Sequence, residues 1–509
     1  MFKNEPFTDF TIEENRKLLL SALERLSLGS KVPCILKGDE VFTKETLDSV
    51  DPSDPKVIVA SSSLASIDLA QEAIHISKSS KWEYVQDRSK ILKNAASIMR
   101  VRKHELSALI IRESGKPWRE ADADVAEAID FCDYYADEWE RLQTPEKTME
   151  VPGEDNYYFY QPRGISVVIS PWNFPFAIPC GMVVASLVCG NTVILKPAEQ
   201  TPRIGYELVK ILLEAGVSKD ALHFLPGLGE VVGDYLVKST DISLVAFTGS
   251  KAVGLSIIEA CGKVSKGQES VKKVVCEMGG KNAIIVDESA DQDDAIKGII
   301  DSAFGFAGQK CSACSRLIIV GDQYEELVSR LGDAVRNIRA GAPKDPATFL
   351  PPLIDSEAQS RVHKAIQNSG LKVFAQSEVP KDGYFIPATL FKDVPLDHPI
   401  FLSELFAPVL AAVKVKSFDE ALRVANSSEY ALTGGVFSRD PENLERAKRE
   451  FKVGNLYLNR KITGALVKRQ PFGGFKMSGV GSKAGGRDYL LQFVEPRVVT
   501  ENTIRKGMI

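Results

Sequence analysis

Cys311 lies in the run GQKCSACSR (residues 308–316), just after a glycine-containing stretch, 304–309, that leads out of a predicted helix. A thiol exposed there could act as a nucleophile once ionised. Cys314 follows at C-x-x-C spacing, so other readings stand beside that one. A thioredoxin-like redox pair belongs early in a small fold, and this one sits deep in a large chain. Zinc asks for four ligands, and neither a second C-x-x-C nor a histidine pair occurs among five histidines. Two structural thiols are the remaining alternative. A second run, CEMGGKN (276–282), ends a β-like segment with Glu277, followed by Gly279-Gly280. Glycines there let the backbone turn and approach a ligand. The carboxylate is a candidate general base, or an ordinary exposed glutamate. In SPWNFP (170–175), Asn173 stands among prolines and aromatics. Its amide could donate to a developing oxyanion, or simply hold a turn.

Two further segments could hold a nucleotide. LKPAEQTP (195–202) puts Lys196 and Glu199 between a strand and a helix. A carboxylate there can accept both ribose hydroxyls and would repel a 2′-phosphate, which favours NAD over NADP. FTGSKAVG (247–254) leaves a strand and opens a helix whose N–H groups can cradle phosphate. Neither matches G-x-G-x-x-G, and Gly227-Leu228-Gly229 followed by Gly233 misses that spacing by one residue.

These residues must be positioned by a large scaffold. A chain of 509 residues exceeds one compact core, so two or three domains are expected. A composition of 44% hydrophobic and 26% charged residues is that of an ordinary globular protein. The net charge of −5 gives no footprint for nucleic acid or an anionic membrane, so a small molecule is the expected partner. Eight irregularly spaced cysteines are too sparse for a disulfide scaffold and suit a reducing compartment. The first fifteen residues carry acids and no apolar core, which reads as no leader and points to the cytoplasm. From 164 to 195 no side chain is charged, long enough for a membrane span. Three prolines, Asn173 and Gly190-Asn191 interrupt it, so it reads as strand 165–170, a loop, a buried helix near 179–188 and strand 192–196.

The periodicity predicts helices over 67–79, 87–114 and 121–140, with the N-terminal third largely helical. A polar stretch around 145–156 suggests a hairpin or crossing segment. Strands at 165–170, 192–196, 223–225, 244–248 and 273–276 alternate with helices such as 203–215 and 231–238, which predicts a parallel sheet with right-handed crossovers. A second series comes next: strand 283–286, helix 293–306, strand 316–320 and helix 324–338, with a β-like segment at 497–501. The chemistry is expected in the cleft between two α/β domains.

Taken together, the identity, order and spacing of PWNFP, KPAEQTP, FTGSKAVG, EMGGKN, GQKCSACSR, SELFAPVL (403–410) and QPFGGFKMSG (470–479) resemble the aldehyde dehydrogenase superfamily along essentially the whole chain. The resemblance implies a Rossmann-type NAD-binding domain (1–142 and 161–276), a second α/β catalytic domain (277–482), and a small β oligomerisation segment (143–160 and 483–509) that makes a homo-oligomer. It implies an NAD-dependent dehydrogenase that forms a thioester on Cys311, with Glu277 as the base and Asn173 as an oxyanion donor. Cofactor contacts would come from Ser170, Pro171, Trp172, Lys196, Glu199, Gly229, Gly233, Thr248, Gly249, Ser250, Gly254, Glu404 and Phe406.

Within the superfamily, KPWREADADVAEAIDF (116–131), GFAGQKCSACSR and the run from 459 to 490 are most similar to the branch that oxidises glutamate γ-semialdehyde, the ring-opened form of 1-pyrroline-5-carboxylate. That implies a substrate carboxylate held by the backbone of Gly464 and Ala465 and by Ser312. Phe174 and Phe472 would clasp the aliphatic stem, with Glu127 near the ammonium group. The chain departs from the branch at GRDYL, and at Lys468-Arg469, a basic pair that reinforces anion attraction or is simply solvated. Dehydrogenation of another semialdehyde, such as succinate semialdehyde, is the alternative within the superfamily. A non-catalytic binding protein on the same scaffold is the alternative from another class. No metal site is expected.

Overall fold

The computed structural model describes residues 2–504; the last part of the segment expected to run to 509 lies outside them. Two large sheets organise the chain. The first has eight strands in the order Gly479–Val480, Lys273–Glu277, Ile242–Thr248, Ile165–Ile169, Thr192–Lys196, Leu222–Phe224, Cys34–Leu36 and Asp39–Val41. Its five middle strands are parallel, and short antiparallel strands close both edges. From Ile165–Ile169 the chain steps outward one way to Thr192–Lys196 and Leu222–Phe224. It then returns to the other side with Ile242–Thr248 and Lys273–Glu277. The strand order therefore reverses between Ile165–Ile169 and Ile242–Thr248, the place where doubly wound sheets form a ligand crevice beyond the carboxyl ends of their strands.

Apolar runs such as ISVVI and TVILK become strands covered on both faces, as a doubly wound parallel sheet requires. One face carries the helices Arg88–Val101, Lys103–Glu113, Trp118–Leu142, Ala177–Val188 and Pro202–Ala215, which form a continuous core with it. Ile67–Ser79 and Lys251–Gly262 cover the other. The uncharged stretch from 164 resolves into a strand, a loop, the twelve-residue helix Ala177–Val188 and a strand. No helix among the described residues is long and apolar enough to cross a membrane.

The second sheet has seven strands in the order Val373–Gln376, Thr389–Phe391, Val409–Val415, Cys314–Val320, Asn282–Val286, Thr433–Phe437 and Asn455–Leu458, all parallel except the first. A three-stranded antiparallel sheet, Glu146–Lys147, Glu154–Pro162 and Val494–Asn502, pairs the polar stretch with the C-terminal β-like segment.

Two expectations need correction. The N-terminal third is not largely helical throughout: residues 30–63 form Ser30–Val32, Cys34–Leu36, Asp39–Val41, Thr46–Asp51 and Asp54–Ser63. The long helix expected over 87–114 is two, broken where Arg102 (φ −93°, ψ 10°) leaves helical geometry.

Candidate active site

Strand Lys273–Glu277 ends at Glu277, whose neighbours in register are Thr248 on one side and Gly479 on the other. Its carboxylate rests against glycines. A Cβ on Gly473 would come within 2.9 Å of Oε1, and one on Gly479 within 3.1 Å of Oε2. Oε2 is buried without a hydrogen-bond partner. Burial pushes the carboxyl up to about 8, opposed by the Lys483 ammonium and the Gly474 N–H. A carboxyl that ionises near neutrality is suited to proton transfer.

Cys311 is half-buried at the head of strand Cys314–Val320, and Cys314 itself is buried. The turn leading to Cys311 is unusual, because Phe306 and Ala307 both have φ 53° and Gly308 has φ 66°. Two non-glycine residues in the left-handed region are costly, of order 1–3 kcal/mol each, and persist only where surroundings enforce them. Here the surroundings include Asn282. Its Nδ2 donates to the Cys311 carbonyl (2.7 Å) and the Ala313 carbonyl (2.9 Å), while its Oδ1 accepts from Thr433 N (3.0 Å). Thr433 Oγ1 donates to the Ser312 carbonyl at 3.1 Å. Burial, with the charges of Glu277 and Glu404 adding to it, pushes the Cys311 thiol up to about 12, against the Ser312 N–H. The resting group is a thiol.

Asn173 is buried, and Nδ2 donates to the Gln309 carbonyl (3.0 Å) while Oδ1 accepts from Phe174 N (3.1 Å). One N–H of its amide thus ties the loop after Ile165–Ile169 to the turn before Cys311, and the other is left for a ligand.

Cys311, Ser312, Glu277, Thr248, Glu127, Phe174, Gly464, Ala465 and Phe472 all line one cavity of about 150 Å³. That volume encloses a molecule about the size of benzene. Gly464 has φ 75°, and its loop forms one wall. Glu127 is pushed up to about 8 by burial, reinforced by Asp124 and opposed by Lys116. Lys310 and Glu120 also line the cavity, as an ion pair at 2.6 Å. Lys468 and Arg469 do not line it; both are exposed.

Most of the remaining predicted residues lie at or just beyond the carboxyl ends of the parallel strands of the first sheet. Lys196 Nζ meets Glu199 Oε1 at 2.7 Å, and Gly229 N donates to the same oxygen at 2.9 Å. Oε2 keeps its lone pairs, and the side chain is 31% exposed, so it can accept from a bound sugar. Gly233 sits against the Lys196 side chain. Ser170 donates its N–H to the Lys196 carbonyl at 3.2 Å. Thr248, Gly249 and Ser250 lead into the helix Lys251–Gly262, which Ser250 caps through Val253 N. Gly254 serves packing, since a Cβ there would lie 2.6 Å from Met278 Sδ and 2.8 Å from Cys276 Sγ. Across the crevice, Glu404 Oε1 accepts from Gly280 N at 2.8 Å. Phe406, itself left-handed at φ 54°, meets Trp172 edge to face at 5.5 Å, beside Pro171. A carboxylate, a capped helix start and a second carboxylate along one crevice fit a dinucleotide.

Asn282 and the left-handed pair Phe306–Ala307 were not singled out by sequence reasoning. Asn282 ends the quoted EMGGKN run, which was its only signal. Nothing in Phe-Ala announces a positive φ.

The sequence pattern of the aldehyde dehydrogenase family matches residues 41–499. A 1-pyrroline-5-carboxylate dehydrogenase of Geobacillus sp. (strain WCH70) is 47% identical, over 98% of this chain and 99% of its own. The crystal structure of 1-pyrroline-5-carboxylate dehydrogenase from Thermus with bound NAD superimposes with a TM-score of 0.97 at 45% identity, covering 99% of both chains. Proline utilization A (PutA) from Bdellovibrio bacteriovorus, inactivated by N-propargylglycine, matches with a TM-score of 0.98 at 45% identity. All of this chain is covered, but it spans only 54% of that longer one.

Proposed function

Since this chain belongs to the aldehyde dehydrogenase family, we propose that it oxidises L-glutamate γ-semialdehyde, the open form of 1-pyrroline-5-carboxylate, to L-glutamate with NAD, a step of proline breakdown. The observation that supports this most is one cavity lined by Cys311 and Glu277 together with the Gly464–Ala465 loop, Ser312 and Glu127. A thiol and a base meet there with groups suited to a carboxylate and an ammonium. Remote binding of those two charges orients the aldehyde carbon at the sulfur.

Cys311 gives up its proton to solvent and its Sγ bonds to the aldehyde carbon. Asn173 Nδ2–H and the Cys311 N–H donate to the resulting oxyanion. NAD, when bound, supplies the acceptor for the hydride that leaves this carbon, which turns the hemithioacetal into a thioester. Glu277 then takes a proton from water as the water oxygen attacks the thioester carbon. The C–S bond breaks, Cys311 leaves as thiolate, and the acid product gives its proton to solvent and departs as the carboxylate. Lys196 and Glu199 would hold the adenosine ribose, the helix start at Ser250 the pyrophosphate, and Glu404, Trp172 and Phe406 the nicotinamide end, with Ser170, Pro171, Thr248, Gly249, Gly229 and Gly233 shaping the crevice. Their charge and spacing support that assignment.

The same reading gives residues 1–142 and 161–276 the NAD-binding role and 277–482 the catalytic one. The three-stranded sheet joins copies into a homo-oligomer, supported by Val498 and Val499, which are 61% and 38% exposed on its C-terminal strand. A cytoplasmic location is supported by eight free cysteines. The test is NADH formation measured with glutamate γ-semialdehyde and succinate semialdehyde side by side. A higher kcat/KM for the first is expected; a preference for the second overturns the substrate assignment.

A further inference from the structure

The stretch KPWREADADVAEAIDF contains a charge that the reaction does not use. Lys116 and Asp124 are both 0% exposed and pair at 2.8 Å. Asp124 Oδ1 also accepts from Ala177 N at 2.7 Å, at the first residue of the helix Ala177–Val188. Lys116 Nζ lies 3.6 Å from the centroid of the Phe174 ring and 5.2 Å from that of Phe306. Phe174 lines the substrate cavity; Lys116 does not. Phe306 is fully buried in the left-handed turn five residues before Cys311.

An ion pair removed wholly from water does not outperform apolar packing as a source of stability. What this one adds is direction. A cation attracts the face of an aromatic ring, most strongly when desolvated, and so fixes how the ring is presented. Here one ammonium faces two rings, the first a wall of the cavity and the second part of the nucleophile turn. Asp124 holds that ammonium in place and also fixes the helix start just beyond the Asn173–Phe174 loop.

We infer that Lys116, held by Asp124, is a positioning residue: through the Phe174 and Phe306 rings it sets the aldehyde-binding wall and the nucleophile turn relative to each other. This rests on the aldehyde-oxidising reading above. It acts through the rings and touches neither the aldehyde nor the cofactor crevice.

Lys116→Met keeps the length and apolar stem and removes the cation. The expected result is an aldehyde kcat/KM lowered about ten- to a hundredfold, with KM raised because the Phe174 wall that binds the substrate is displaced. The KM for NAD stays within about twofold, since no cofactor contact is altered. In the absence of substrate, the rate of Cys311 alkylation by iodoacetamide shifts by about threefold or more as the turn loosens. If this variant does not fold because Asp124 is stranded, Lys116→Met combined with Asp124→Leu removes the unpaired carboxylate and is measured in the same way. Unchanged aldehyde KM and alkylation rate in a folded variant overturn the inference. So does an equal rise in both KM values, which would mean general loosening. A native chain that fails to oxidise the semialdehyde refutes the functional reading alone, because the alkylation rates still decide the positioning role.

Discussion

Replacing Glu277 by Gln keeps shape and removes both the proposed base and its charge. The two chemical half-reactions respond differently. Water attack on the thioester loses its proton acceptor, so steady-state turnover should fall about 10²- to 10⁴-fold. Thioester formation does not need that carboxylate, so a burst of NADH close to one per active site should remain. The pH dependence comes from the burial that pushes Glu277 up to about 8. At pH 7 only about one-tenth of the native enzyme has this carboxylate ionised, and at pH 9 about nine-tenths. Where hydrolysis limits turnover, the native rate should therefore rise about tenfold across that interval. The Glu277→Gln residual rate should lack that limb.

The same substitution bears on Cys311, because the Glu277 charge is one of the influences holding the thiol at about 12. Removing it should accelerate iodoacetamide alkylation of Cys311 at pH 8–9, whereas a Glu277 that served as the base for the sulfur would give a slower reaction once replaced. Stability should shift as well. The native chain retains a proton that the unfolded chain has released between about pH 4.5 and 8, so this group's contribution to stability falls as pH rises through that window. Across it the loss is on the order of a few kcal/mol, and the Gln variant is spared it. Rapid-quench and stopped-flow measurement of NADH, with alkylation rates beside them, decide the matter. Steady-state turnover within threefold of native, or a burst lost together with it, would refute the assignment of Glu277 to hydrolysis.

Asn282→Ala removes three hydrogen bonds around Cys311, leaving buried partners unpaired at about 1–3 kcal/mol each; kcat should fall at least about tenfold and the denaturation midpoint should drop, while NAD affinity measured by fluorescence titration holds. Glu199→Gln removes the crevice carboxylate, so Kd for NAD should rise about tenfold and NADP should be less strongly discriminated against, with the aldehyde KM unchanged. Gly473→Ala places a methyl 2.9 Å from Glu277 Oε1 and 3.4 Å from Lys483 Cα; the carboxylate must shift, so the steady-state rate should fall about tenfold or more while the NADH burst persists.

The features legible in the sequence are those encoded locally. Strand Thr192–Lys196 and helix Ile67–Ser79 match their expected limits, because a short apolar run between turn signals and a clean helical period are both local. The strands within residues 30–63 escaped because three have only three residues each, too few to show alternation. Thr46–Asp51 and Asp54–Ser63 mix Ser and Asp into a half-exposed edge sheet. The break at Arg102 carries neither proline nor glycine to mark it. In the site, residues inside contiguous motifs were legible. The partners that hold them were not: Asn282 reaches carbonyls 29 and 31 positions away. Glu113 is another such case, a buried carboxylate that caps the helix Pro202–Ala215 by accepting from Arg203 N and Ile204 N, 90 and 91 positions away.

The run CEMGGKN shows why so few residues can couple the two halves of the chemistry. Glu277 is the last residue of the last of the five parallel strands in the first sheet, and Asn282 is the first residue of an inner strand in the second. The proposed base therefore ends one strand of the first sheet, and the side chain that clamps the Cys311 carbonyl begins a strand of the second, with four residues between them. Two of those four must be glycine. A Cβ at Gly279 would overlap the Glu404 carboxylate, and one at Gly280 would come within 2.7 Å of the Cys311 carbonyl. The separation of the Glu277 carboxylate and the Cys311 sulfur is thus set by two strand ends and a short path rather than by a long loop. In the proposed mechanism, that arrangement lets a single carboxylate serve the second half-reaction without perturbing the geometry of the first.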